Sequence, residues 1–226
     1  EFRRVLFRSR PRSQRRRSRP HDDTTLDPVE TDGLLAALHE VADAVGEALA
    51  TVTDWGPSGR RDDQYAADLV ADEAALGALS RLAPSVGWGV LSEESGIVDP
   101  ERDLVVVVDP LDGSTNASRG IAHFATSLCV MDADGPLVSV VAHQAIERRW
   151  WAVRGGGAFR NGRRLDRAVA ADWGRAVVAV SGRPPLDADW WQYRTLGAGA
   201  IDLCLVADGS VDAFIDMSPS AHGIWD

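Results

Sequence analysis

Apolar positions recur at intervals of three and four over Leu34, Leu35, Leu38, Val41, Ala42, Val45 and Leu49, which predicts an amphipathic helix over residues 32–50. Thr31 or Asp32 is placed to cap it, and Trp55-Gly56-Pro57-Ser58-Gly59 breaks it. A second helix is predicted over 65–82, with Leu69, Leu76 and Leu79 on one stripe and Pro84 as its stop. Asp68 and Asp72 lie one turn apart on it and share a face. Such a pair is ordinarily solvated surface, unless one of the two turns towards a site. Short apolar runs then predict strands at 87–91, 104–108, 125–131, 137–141 and 149–153. Asp132-Ala133-Asp134-Gly135 reads as a hairpin turn, and residues 155–162 as a further strand with an Asn-Gly turn. That glycine run lacks the Lys-Ser/Thr ending of a phosphate loop, so a tight hairpin is the better reading. Trp150 and Trp151 are assigned to core and rim packing. Beyond a polar break near 168–175, a strand is predicted at 176–181, a loop at Pro184-Pro185, a small-residue helix at 197–207 and a strand at 211–215 ending in Asp216. The succession is that of an α/β protein, with an α+β part over 31–172 and a partial α/β part over 173–226.

The chemistry concentrates in Asp109-Pro110-Leu111-Asp112-Gly113-Ser114-Thr115-Asn116, which follows the run Leu104-Val105-Val106-Val107-Val108. A continuous β-branched run of this kind makes a strand buried on both faces. Pro110 has no N–H for a ladder, so the strand is expected to stop there and turn. Two carboxylates brought together by that turn would repel unless a cation stood between them, and all-oxygen ligation suits magnesium or manganese. Gly113 lets the backbone approach a ligand, and Ser114, Thr115 and Asn116 are residues that start helices, whose N–H groups can hold an anion. The stretch reads as a metal site beside a phosphate site; by itself it is also compatible with an Asp-rich β-turn. Ser92-Glu93-Glu94-Ser95 ends another strand of similar character, and ligands of α/β sheets sit off strand ends.

Charge narrows the partners. The chain of 226 residues carries a net −10, yet residues 1–20 hold nine arginines and one glutamate, so the remainder carries about −18. A body that acidic is a poor nucleic-acid binder and an attractive one for divalent cations. Residues 1–30 show no helical or strand period and have no apolar core for a secretory signal. They read as a disordered or non-native leader, of the kind produced by translated adapter sequence. The alternative, a basic arm for nucleic acid or anionic lipid, rests on residues 1–20 alone. No run of eighteen apolar residues is present, so no membrane span is expected. Cys129 and Cys204 sit in apolar contexts and are most simply free thiols of a reducing compartment such as the cytoplasm, with a disulfide left open.

Taken together, these motifs resemble the inositol monophosphatase family of magnesium-dependent, lithium-sensitive phosphatases. Residues 109–116 match the family's Asp-Pro-Ile/Leu-Asp-Gly-Ser/Thr-Thr-Asn motif, and Ser92–Ser95 its Gly-Glu-Glu-Ser segment with Ser for Gly. Residues 157–162 match Gly-Ala-Phe-x-Asn-Gly, Arg194, Gly197 and Ala200 match the start of a later helix, and Trp225-Asp226 matches a closing Trp-Asp. The resemblance implies a layered αβαβα sugar-phosphatase fold, incomplete at the C-terminus, because the chain stops where a helix would begin. It implies two or three magnesium ions held by Glu93, Asp109, the Leu111 carbonyl, Asp112 and Asp226. Asp72, aligned with the family's helix aspartate, would hold the hydration water of the metals, while Ser114 and Glu93 would orient and deprotonate the attacking water. Gly113, Ser114 and Thr115 would grip phosphate, with Gly199 facing the substrate ring and Asp216 standing where the family has a substrate-contacting Glu. The expected substrate is a small phosphomonoester, inositol monophosphate first, with histidinol phosphate, fructose bisphosphate and 3′-phosphonucleotides as alternatives. A non-catalytic metal-binding relative is the reading from a different class. Nucleic acid and membrane are not expected partners, and a homodimer is the assembly the family suggests. The segment 218–222 is longer than the family's usual link to Trp-Asp.

Overall fold

The structure, a computed structural model, describes residues 28–166, 172–184, 187–218 and 223–225, so expectations that fall on His222, on Asp226 or on the leader lie outside the described residues. Helix α1 (Pro28–Leu49) already includes Thr31 and Asp32, which therefore do not cap it. Pro28, whose fixed φ suits a first turn, stands at its observed start. The spacing of its apolar residues was a true guide: Leu34, Leu38, Val41, Ala42, Val45 and Leu49 are all buried.

Helix α2 (Ala66–Val86) runs one turn past the expected stop, straight through Pro84. A proline near a helix end forfeits little, and the termination falls instead to Gly87, left-handed at φ 76°, whose N–H reaches Ala83 O at 2.6 Å. The buried stripe of α2 is mainly alanine, at 67, 71, 75 and 78 with Leu79, while Leu69 and Leu76 are only half-buried. Small residues there let α2 pack closely with α1 in one core.

Eight strands make the main sheet. In chain order they are β1 (Trp88–Ser92), β2 (Gly96–Val98), β3 (Leu104–Asp112), β4 (Ala125–Asp132), β5 (Gly135–His143), β6 (Arg148–Val153), β7 (Gly157–Arg160) and β8 (Arg163–Arg164). The short helix α3 (Ser114–Ser118) leads from β3 towards β4. The spatial order is β2-β1-β3-β4-β5-β6-β7-β8, with β1 and β3 parallel and every other neighbouring pair antiparallel. The three-residue β2 is too short to leave a pattern in the sequence. The glycine run is a hairpin, as expected, and Asn161 and Gly162 close the next turn with φ of 47° and 79°, the paired positive values of a type I′ turn.

Three further strands, β9 (Val177–Gly182), β10 (Gln192–Arg194) and β11 (Ala213–Met217), form a parallel sheet ordered β10-β9-β11, and α4 (Gly199–Ala207) precedes β11. Val106, Val108, Leu128, Val130, Val138 and Val140 turn one face of the main sheet to α1 and α2. The opposite face meets α4, where Ala125 and Trp150 pack with Ile201, Leu205 and Ala179 of the small sheet. The described layers are thus α, β, α, β, and the expected fifth layer has no counterpart among the described residues. Cys129 and Cys204 are free, and burial pushes their thiols up to about 11 and about 12. Among the described residues no helix is long and apolar enough to cross a membrane.

Candidate metal and phosphate site

The site begins with register. Strands β1 and β3 run parallel and pair from Trp88 with Leu104 to Ser92 with Val108, and Glu93 N then donates to Val108 O at 3.0 Å. One step further, Glu93 opens the turn that follows β1 while Asp109 continues β3. β3 does not end at Pro110, as the missing N–H had suggested; it continues to Asp112. Asp109 pairs with Ser127 but Asp112 with Ala125, so three steps along β3 match two along β4. A one-residue bulge of this kind puts Asp109 and Asp112 on one face, where a regular strand would put residues three apart on opposite faces. Thr126 Oγ1 holds the bulge by donating to Pro110 O at 2.9 Å, and Leu111 N donates to Asp109 Oδ1 at 3.0 Å.

Both Asp109 and Asp112 are buried. The Asp112 carboxylate reaches across to α4, accepting Gly199 N at 3.1 Å and Ala200 N at 2.8 Å. Gly113 is left-handed at φ 82°, and a Cβ there would lie 2.9 Å from His123 O and 3.0 Å from Ala198 Cβ. Only glycine fits both the dihedral and the space. Asn116 ties the same corner together, its amide nitrogen lying 2.8 Å from both His123 O and Leu196 O.

Two more buried carboxylates come from α2. Asp68 Oδ2 accepts Tyr65 N at 2.7 Å, reaching back to the residue before the helix, and the Ser114 hydroxyl close by favours the ionised form of its carboxyl. Burial, with the negative charge of Glu94 adding to it, pushes the Asp68 carboxyl up to about 6, against the pull of the Tyr65 and Ser114 hydrogen bonds. Tyr65 in turn donates its hydroxyl to Thr115 Oγ1 at 3.3 Å. Asp72 has a different setting: Ser92 Oγ donates to its Oδ1 at 2.5 Å and Ser95 Oγ to its Oδ2. The helix carboxylate that meets Ser114 is therefore Asp68, and Asp72 clamps the turn that carries Glu93.

The expected residues divide as follows. Glu93, Asp109, Leu111, Asp112, Gly113, Ser114 and Thr115 lie along adjoining strand ends and the start of α3, and Gly199 is brought to them by Asp112. Asp216 stands near the end of β11, where its carboxylate accepts Ser218 N at 2.9 Å and Ser218 Oγ. Asp226 lies outside the described residues. Glu94 accepts hydrogen bonds from Arg61 and Gln64 at the rim, beside a cavity of about 700 Å³ that Asp72, Glu73, Leu69 and Leu76 also line. Among the described residues no three acidic, His or Cys side chains close around one point. The donors that Glu93, Asp109, Asp112 and the Leu111 carbonyl offer are all oxygen, and such a set suits a hard divalent cation.

Known proteins resemble this chain over most of its length. The model of the inositol monophosphatase family matches residues 25–226. A fructose-1,6-bisphosphatase of Pyrococcus furiosus is 35% identical over 174 residues, covering 76% of this chain and 65% of that protein. A fructose-1,6-bisphosphatase/inositol-1-monophosphatase of Archaeoglobus fulgidus is 34% identical over 195 residues, covering 82% of this chain and 74% of that one. Among solved structures, the extragenic suppressor protein SuhB of Bartonella henselae superposes with a TM-score of 0.73 at 27% identity, covering 86% of this chain and 81% of that chain. The chain thus spans less than two thirds of the first of these curated relatives and about three quarters of the second.

Proposed function

Because the chain belongs to the inositol monophosphatase family, we propose that it is a magnesium-dependent phosphoric monoester hydrolase acting on a small polyol or sugar phosphate, inositol monophosphate first. The observation that supports this reading is the bulge that sets the buried Asp109 and Asp112 carboxylates on one face, with Ser114 and Asp68 close to each other beside it. Glu93, Asp109, the Leu111 carbonyl, Asp112 and Asp226 would hold the magnesium ions. When bound, magnesium lowers the pKa of coordinated water and neutralises charge on the phosphoryl oxygens.

The chain's own residues supply the rest. The backbone N–H groups of Gly113 and Ser114 would hold a phosphoryl oxygen. Ser114 Oγ would accept the proton of the attacking water while passing its own to Asp68. A carboxyl with a pKa of about 6 is ionised at neutral pH, yet basic enough to take that proton. Asp72, fixed by Ser92 and Ser95, would keep the Glu93 turn in place rather than touch the water. Gly199, backed by Asp112, would face the leaving group. Both named relatives above carry fructose-1,6-bisphosphatase in their names, and this favours fructose bisphosphate as the second substrate.

Phosphate release from inositol 1-phosphate, fructose 1,6-bisphosphate, histidinol phosphate and a 3′-phosphonucleotide, with and without magnesium, tests the reading. Release that needs magnesium and disappears in Asp109→Asn supports it. No release from any of them by a folded chain that binds magnesium would favour a non-catalytic relative.

A further inference from the structure

We propose that His123 and Asp202 form a positioning pair that sets the place of α4 against the phosphate corner, and so governs how the leaving group of the substrate is held. The inference rests on the hydrolase reading above and adds a function for two residues which that reading does not use.

Asp202 lies in the first turn of α4 and is 2% exposed. A buried carboxylate needs a partner, and His123 Nε2 stands 3.2 Å from its Oδ1. Facing a carboxylate oxygen, this nitrogen carries the hydrogen and donates it. The His123 ring is fixed on its other side by His143, edge to face with ring centres 5.8 Å apart. His143 ends β5, and its own Nδ1 accepts Ala145 N at 3.2 Å, so the ring against which His123 leans is itself anchored to the main sheet.

The backbone of His123 belongs to the site. Its carbonyl oxygen accepts from Asn116 and is the atom that a side chain at Gly113 would strike. The pair therefore joins α4 to the segment that packs on Gly113, on the far side of the helix start from Asp112. With Asp112 holding Gly199 and Ala200 and His123 holding Asp202, the first turn of α4 is gripped at two points. One grip alone leaves the helix free to tilt about it. The consequence falls on whatever Gly199 faces, the leaving group, and spares the phosphoryl group held by Gly113 and Ser114.

The test compares inositol 1-phosphate, whose leaving group is a polyol, with p-nitrophenyl phosphate, whose leaving group offers no ring hydroxyls. In His123→Phe and in Asp202→Leu, which removes the acceptor, the KM for inositol 1-phosphate should rise about tenfold, because small displacements of positioning groups are costly. The kcat on p-nitrophenyl phosphate should stay within about twofold of the wild type. His123→Gln, which keeps an N–H donor, should recover most of the loss. Amide hydrogen exchange gives a readout that needs no activity: exchange at 199–202 should quicken in His123→Phe while α2 is unchanged. Equal losses on both substrates, or unchanged exchange at 199–202, would overturn the positioning role. A wild-type chain that hydrolyses neither substrate would overturn the hydrolase reading instead, with the exchange result still deciding the contact.

Discussion

The Asp112 carboxylate caps α4 from 87 residues earlier in the chain, one oxygen accepting Gly199 N and the other Ala200 N. Ala198 stands at the cap position and has no side chain to do this work. A carboxylate at a helix start meets both the unpaired N–H groups and the positive end of the dipole. The proposed metal ligand is therefore also the joint between the main sheet and the helix of the third layer.

Asp112→Ala should lower stability by about 1 kcal/mol through the lost cap, and Asp112→Asn by less, since an amide oxygen still accepts. Chemical denaturation read by circular dichroism measures both. Hydrolysis should be lost in the two variants alike.

Asp68→Asn should reduce kcat by about 10²–10³ and leave KM nearly unchanged, the signature of a group that acts in proton transfer. Steady-state kinetics on the best substrate checks this. Asp72→Asn should act chiefly through magnesium affinity, because Asp72 fixes the turn of Glu93 and does not face Ser114.

Activity should rise with pH through about 6, as Asp68 loses its proton, and Asp68→Asn should remove that limb of the profile. Stability has the opposite sign. Folding raises this carboxyl from 3.8 to about 6, so the fold binds the proton more tightly than the unfolded chain does. Its contribution favours folding below the unfolded value and is lost as pH rises through the folded one. Melting at pH 5 and pH 7.5 should show Asp68→Asn gaining on the wild type at the higher pH.

Gly113→Ala should cost about 1–3 kcal/mol, the range for a side chain forced into a left-handed backbone, with further loss from contact with His123 O and Ala198. A melting curve shows the first effect. Loss of phosphate release in the fraction that remains folded shows that the corner has moved.

Chelation with EDTA should abolish hydrolysis reversibly, and Asp109→Asn should lower it by at least about 10², the usual cost of removing an electrostatic stabiliser. Magnesium titration by calorimetry separates weakened binding from a damaged fold.

Much of this was legible in the sequence. The spacing of Leu34, Leu38, Val41 and Val45 located the buried face of α1, and the run Leu104–Val108 located the central strand. What escaped lay where one local rule outweighed another. Pro110 argued for a strand end, yet a proline placed in a bulge leaves no ladder N–H missing. Pro84 argued for a helix end, yet Gly87 ends it one turn later. Asp68 and Asp72 share a face, and only the placement of the serines at 92, 95 and 114 tells which carboxylate serves which partner. The grip of Asp112 on α4 joins distant stretches that no local pattern connects.

The bulge between Asp109 and Asp112 has a consequence in hydrogen atoms. Pro110 brings none on its nitrogen, and the one on Leu111 N is already spent on Asp109 Oδ1. The main chain between the two carboxylates therefore presents lone pairs and almost nothing to protonate or repel a cation. Pro110→Ala would leave every acidic residue in place and add a single amide hydrogen, and that one atom would make the corner less hospitable to positive charge.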